Sequence, residues 1–237
     1  MKTFILFLHF LLSSYTLIGQ QSITGKIENP ASDKPSMDIV LFMFGMEHPV
    51  KVGETDNDGN LSISFPRELP ASITSETKEL FATQLPYALH FPCGNRSDFP
   101  ESINNIIVYK GGYFSLSHSE QLWEGTLFPA LNEELISWWQ DPHYVNPVTS
   151  SFFEVIYCEQ DVGLSTTCNN NLLYEEKEVV AEYKYDLKLK KGFNLIEYKI
   201  EATQDSGSSD IPAIPSIVTI VNAGDTNSIQ WYAKYYY

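Results

Sequence analysis

The sequence predicts an all-β chain, built as one or more antiparallel β-sandwiches with one or two short helices. Three observations predict it. Apolar side chains recur at every second position in one run after another, and the runs are bounded by clusters of Gly, Pro, Asp and Asn that suit turns. Aromatic residues make up 14% of the 237 positions, enough large rings to fill sheet interiors. An apolar content of 43% excludes a disordered chain, because that much buried surface offsets the entropy of ordering. With 15 Lys+Arg against 30 Asp+Glu the formal charge is -15, which opposes phosphate backbones and anionic lipid. No nucleic-acid partner is expected.

Residues 1–19 read as a secretory signal peptide. Lys2 precedes an apolar stretch from Phe4 to Ile18, and the small Gly19 stands where the chain turns polar at Gln20-Gln21. The stretch is short of the roughly 20 residues that a bilayer span needs, and no second long apolar run follows. The expectation is a secreted or periplasmic protein with no membrane span after cleavage. No Cys lies near the junction, so a lipid anchor is not expected.

Residues 20–125 read as a first β-rich unit. Ile23-Thr24-Gly25-Lys26-Ile27 alternates, and Ile39 to Phe44 is continuously apolar, as a strand covered on both faces is. Val50 and Val52 alternate, Asp56-Asn57-Asp58-Gly59-Asn60 supplies a turn, and Leu61, Ile63 and Phe65 alternate again, giving a meander. Five prolines punctuate residues 66–100, within which Ser75 to Gln84 suits one short helix with Leu80 and Phe81 on its inner side. Ile106 to Tyr109 and Tyr113 to Leu116 flank Gly111-Gly112 and read as a hairpin.

Residues 126–144 read as a helical connector. Leu131, Leu135 and Trp138 recur at helical spacing after Pro129, and Pro142 ends the pattern. Residues 145–237 read as a C-terminal antiparallel unit. Phe153, Val155 and Tyr157 alternate; then Tyr183, Tyr185, Leu187 and Leu189 share one face, and Ile196, Tyr198, Ile200 and Ala202 share one face beyond Lys190-Lys191-Gly192. Read as a hairpin, the two runs place Lys and Glu where they can pair across strands. A polar loop over 203–216 precedes two last strands, Ile217 to Val221 and Ser228 to Lys234.

The segments Ile23 to Ile27, Ile39 to Phe44 and Glu54-Thr55-Asp56-Asn57-Asp58-Gly59-Asn60-Leu61-Ser62-Ile63 resemble the carboxypeptidase regulatory-like, transthyretin-like β-sandwich, whose third and fourth strands are joined by a T-D-x-D-G turn. Separately, Tyr185 to Ile196, with Leu189-Lys190-Lys191-Gly192-Phe193-Asn194 at its centre, resembles an "LKKGWN" segment of uncharacterised exported proteins of Bacteroidetes-type bacteria, with Phe193 where Trp is usual. The resemblance implies an exported, non-catalytic β-protein and brings no catalytic residues.

The residues themselves nominate few sites. Cys158 and Cys168 bracket a stretch containing Gly163 and form the favoured disulfide, a hairpin clasp; Cys93 is then free, or takes one of the other two instead. His48, His90, His118 and His143 are scattered with no C-x-x-C or H-x-x-x-H, so no zinc site is expected. Glu54, Asp56, Asp58 and Asn60 fall at calcium-loop spacing, but Phe65 stands where the bidentate carboxylate belongs, leaving a Gly-assisted turn. No G-x-S-x-G or phosphate loop occurs. Glu133-Glu134 and Glu175-Glu176 read as solvated pairs, and no catalytic residue, metal or cofactor is assigned. Alternation of Ile229, Trp231, Ala233, Tyr235 and Tyr237 resembles a barrel's last strand, although too few evenly spaced strands precede it. Trp138, Trp139, His143 and Tyr144 are the candidate binding residues: ring faces beside carboxylates suit sugars, and the competing reading is core. The expected role is a non-catalytic structural or interaction module of the cell envelope, its partner a protein or a surface polysaccharide. The alternative is a carbohydrate-binding module using exposed aromatics.

Overall fold

The computed structural model describes residues 22–31, 35–174, 177–205, 207 and 211–236. The stretch 1–19 read as a signal peptide, the Glu175-Glu176 pair and Tyr237 lie outside the described residues. The chain is mostly β, with 49% strand and 13% helix. Four strands come first, β1 (Ile23–Lys26), β2 (Met37–Leu41), β3 (Val50–Thr55) and β4 (Asn60–Ile63). The proline-rich stretch holds α1 (Ser75–Phe81), β5 (Thr83–Gln84), α2 (Leu85–Ala88) and α3 (Glu101–Asn104). Then come β6 (Ile107–Lys110), β7 (Phe114–His118), β8 (Gln121–Ala130), α4 (Glu134–Gln140) and β9 (Ser151–Cys158). The chain continues through β10 (Val162–Tyr174), β11 (Lys177–Leu189), β12 (Gly192–Gln204), β13 (Ile214–Asn222) and β14 (Gln230–Tyr235).

These fourteen strands form one large sheet, antiparallel except where β11 runs parallel to β13. Two separate antiparallel sheets, as a plain sandwich requires, are not what the hydrogen bonding shows. The order β1-β4-β3-β2-β7-β8 continues to β14, and Ile27, next after β1, bridges Trp231 of β14, so these pairings close into a ring. Along the other branch β9 pairs β12, β12 pairs β13, β13 pairs β11 and β11 pairs β10. Pairing crosses the segment read as a connector: Thr126–Ala130 belong to β8 and bond β14, and β6 bonds β9.

Alternation along β9 and β12 divides the interior into two cores. Phe153, Val155, Tyr157 and Leu195 face the ring's interior with Ile39, Ile63, Phe114 and Trp231. Phe152, Ile156, Cys158, Ile196, Tyr198 and Ile200 face the opposite way, under Leu85, Leu89, Phe91, Leu135 and Trp138. Each large ring removes roughly 150–250 Å² from water, about 4–6 kcal/mol before the entropy of ordering it.

Several expectations are corrected. The run at 183–189 and the run at 196–202 are strands but not a hairpin, because β13 lies between them. Their charges pair along each strand instead, Lys184 with Glu182 at 2.7 Å and Lys199 with Glu201 at 3.7 Å. β6 and β7 are likewise not partners: β6 bonds β9, and β7 bonds β2 and β8. Gly111 is needed for close approach, since a Cβ there would stand 2.7 Å from Val155 Cβ. Leu80 and Phe81 are exposed on α1, which buries no residue; the Phe81 ring meets Phe44 edge-on and lies beside Gly45. The disulfide joins Cys93 to Cys168, and Cys158 is free and buried on β9.

β10 is the far edge of the sheet. Its register with β11 runs unbroken from Val162↔Leu189 to Tyr174↔Lys177, and among the described residues its other side makes no backbone hydrogen bond. It contains no charged residue and no proline over 13 residues.

Candidate functional site

The structure does not bring the four sequence-nominated residues together. α4 packs Trp138 and Trp139 inward, 4% and 7% exposed, with Trp138 parallel to Phe91 and Trp139 4.6 Å from Phe152. His143 and Tyr144 lie in the exposed turn after the helix, Tyr144 at 83%. Two core side chains and two solvated ones make no stacking platform.

Beside that core is a cleft of about 260 Å³ lined by His90, Lys110, Tyr113, Trp139, Glu154 and Tyr198. His90 Nδ1 stands 3.3 Å from Glu154 Oε1, and the His90 backbone N–H donates to the Tyr198 hydroxyl at 3.1 Å. Tyr198 stacks on Phe152, and burial, reinforced by the Glu154 charge, holds its hydroxyl well above the usual phenol range. Burial likewise raises Tyr113. The group anchors the turn at 89–91 to the sheet.

The calcium-spaced turn is satisfied internally. Asp56 Oδ1 accepts the N–H groups of Asp58 and Asn60, each at 2.9 Å, and Oδ2 accepts Asn60 Nδ2 at 2.8 Å, which holds the carboxyl below its ordinary range. Gly59 completes the turn at φ 79°. Next to it, Lys51 bridges Asp38 at 2.6 Å and Glu54 at 3.6 Å.

No family model matches the chain, and neither the curated proteins nor the solved structures compared with it contain a match.

A larger cleft, about 700 Å³, opens where the ends of β11, β12 and β13 meet the chain leaving β4. Its walls carry Arg67, Lys188, Lys190 and Lys191, and the stacked pair Phe65 and Phe193, 5.2 Å apart and 13° from parallel. Asp161 takes Lys190 Nζ at 2.8 Å and the Lys191 N–H at 2.9 Å, pinning the turn, and these bonds lower its own carboxyl pKa. The sequence signal was Lys190-Lys191-Gly192-Phe193, which periodicity alone reads only as a turn.

Proposed function

We propose that this chain is an exported, non-catalytic interaction module of the cell envelope, secreted or periplasmic, that meets a protein partner through the open edge of β10. The observation that carries the reading is that edge. Strand edges present unpaired N–H and C=O groups, and soluble proteins blunt them with charge, proline, bulges or short length. β10 uses none of these devices. An extended segment added there gains main-chain hydrogen bonds along the strand. A charge of -15 on every copy opposes pairing of two copies, so the occupant is a strand of a different, neutral or basic protein.

Supporting the reading, the resemblance of residues 23–65 to the carboxypeptidase regulatory-like domain brings no catalytic residues, and the Cys93–Cys168 disulfide suits an oxidising compartment. The carbohydrate-binding alternative at Trp138 and Trp139 loses support, since both rings are in the core. To test the edge, Ser165, Thr167 and Asn169, all exposed, are changed together to Lys. The parent protein is expected to retain one partner from its native envelope extract and the variant to lose it at an unchanged melting temperature. Retention by both proteins sinks the proposal, as does a parent dimer in light scattering that the variant abolishes.

A further inference from the structure

We infer that the larger cleft binds the charged units of an anionic polysaccharide, a site separate from the β10 edge and independent of that reading. Elsewhere on this acidic chain four lysines are paired with carboxylates, Lys51 with Asp38, Lys78 with Glu159, Lys184 with Glu182 and Lys199 with Glu201, and among the described residues the cations without an ion pair, Lys26, Lys110 and Lys234, stand apart from one another in the sequence. In the cleft three such cations come together. Arg67, Lys188 and Lys191 line one opening, and among the described residues none of their side chains has a carboxylate partner. Lys190 alone is taken up, by Asp161. The turn that carries two of these cations is fixed, because Asn194 Oδ1 accepts the Lys190 N–H at 2.8 Å and its Nδ2 donates to the Lys190 carbonyl at 2.7 Å. A preorganised turn loses little freedom when an anion is seated.

In the same cleft Phe193 is half-buried, packed on the core ring of Phe65 and met edge-on by Tyr157 at 5.0 Å. Cations lining a cleft with a half-buried ring suit a sugar bearing a carboxylate or sulfate: the guanidinium and ammonium groups take the anion, and the accessible part of Phe193 meets the apolar C–H face of the pyranose. The volume, about 700 Å³, accommodates a few sugar units. Nucleic acid also offers anions and flat rings, but its densely spaced phosphates meet the surrounding net charge of -15. A polysaccharide with one charge per sugar carries less charge per unit length than a duplex, which has one per roughly 1.7 Å.

The test is affinity electrophoresis of the purified protein at low salt through gels containing polygalacturonate, dextran sulfate, neutral dextran or a single-stranded oligonucleotide. Retardation is expected with polygalacturonate or dextran sulfate, the pair distinguishing carboxylate from sulfate, and not with dextran. The exposed triple variant Arg67→Ala, Lys188→Ala, Lys191→Ala is expected to bind more weakly by roughly tenfold per cation, with its melting temperature retained. Phe193→Leu is expected to weaken sugar binding at unchanged charge. The inference is overturned if neither anionic polysaccharide retards the protein, if the triple variant is retarded as strongly, or if the oligonucleotide binds more tightly than both.

Discussion

Cys93 and Cys168, 75 positions apart in the chain, are covalently joined, and two residues along the same face of β10 Asn170 accepts the Gly94 N–H and donates to the Pro92 carbonyl at 3.0 Å. The Tyr185 hydroxyl, donating to the Phe91 carbonyl, secures the same loop from β11. The irregular segment over 91–94 is therefore clamped onto the two outermost strands, closing the core above Tyr183 and Tyr185.

Reduction of this bond removes the constraint that a loop of 75 positions places on the unfolded chain. Loop-closure entropy gives a loss of about 4 kcal/mol. Urea unfolding followed with and without dithiothreitol measures it, and superimposable curves contradict the clamp.

Alkaline pH is expected to destabilise the protein. Burial pushes the Cys158 thiol from 9.0 up to about 12, and burial with the Glu159 charge pushes the Tyr109 phenol from 10.0 up to about 12. Burial raises Tyr185 and Tyr198 as well. Each group ionises in the unfolded chain first, so the unfolded state binds fewer protons and stability falls as pH rises from about 9 towards 12, by about 1.4 kcal/mol per pH unit per group within its own interval. Equilibrium unfolding at pH 8, 9, 10 and 11 checks the sign. A flat profile contradicts these shifts.

Gly25→Ala is expected to destabilise through Trp231. A Cβ on Gly25 lies 2.9 Å from Trp231 Cδ1 and 3.0 Å from Nε1, inside the fully buried part of the ring of strands. Overpacking of this kind costs roughly 1–3 kcal/mol. Valine at 231 lacks both atoms, so a double-mutant cycle is expected to show a smaller cost for Gly25→Ala in the Trp231→Val background. Additive costs contradict the contact.

Of the four tryptophans only Trp123, 45% exposed, is accessible; Trp138, Trp139 and Trp231 are buried. Iodide is expected to quench one component of the fluorescence, and Trp123→Phe to remove it. Quenching that survives this substitution places another indole at the surface.

Much of the strand content was legible from alternation alone. Ile39, Val40 and Leu41 are buried together, as a continuous apolar run requires, and Asp56 to Asn60 turn the chain between β3 and β4. Leu135 and Trp138 mark the buried face of α4. What alternation does not encode is the neighbour: a period of two fixes which face Tyr185 and Tyr198 share but not that Ile220 pairs with both of them. The disulfide escaped for the same reason, because spacing favours the nearby Cys158 whereas the fold carries Cys93 to Cys168. Trp138 and Trp139 had a correct core reading beside the binding one. The cationic cleft was hidden because Arg67 joins Lys188 and Lys191 only through the tertiary arrangement.

The placement of β13 between β11 and β12, and of β14 between β8 and Ile27, fixes when the molecule can mature. A polypeptide emerging from its N-terminus first has long strands waiting with a vacant slot between them until residues 214–235 arrive. Both inner cores are completed by these strands, Val218 and Ile220 in one and Trp231 in the other, so each is closed by pairing between segments far apart in the chain, the kind of contact whose loop-closure entropy must be met before it is rewarded.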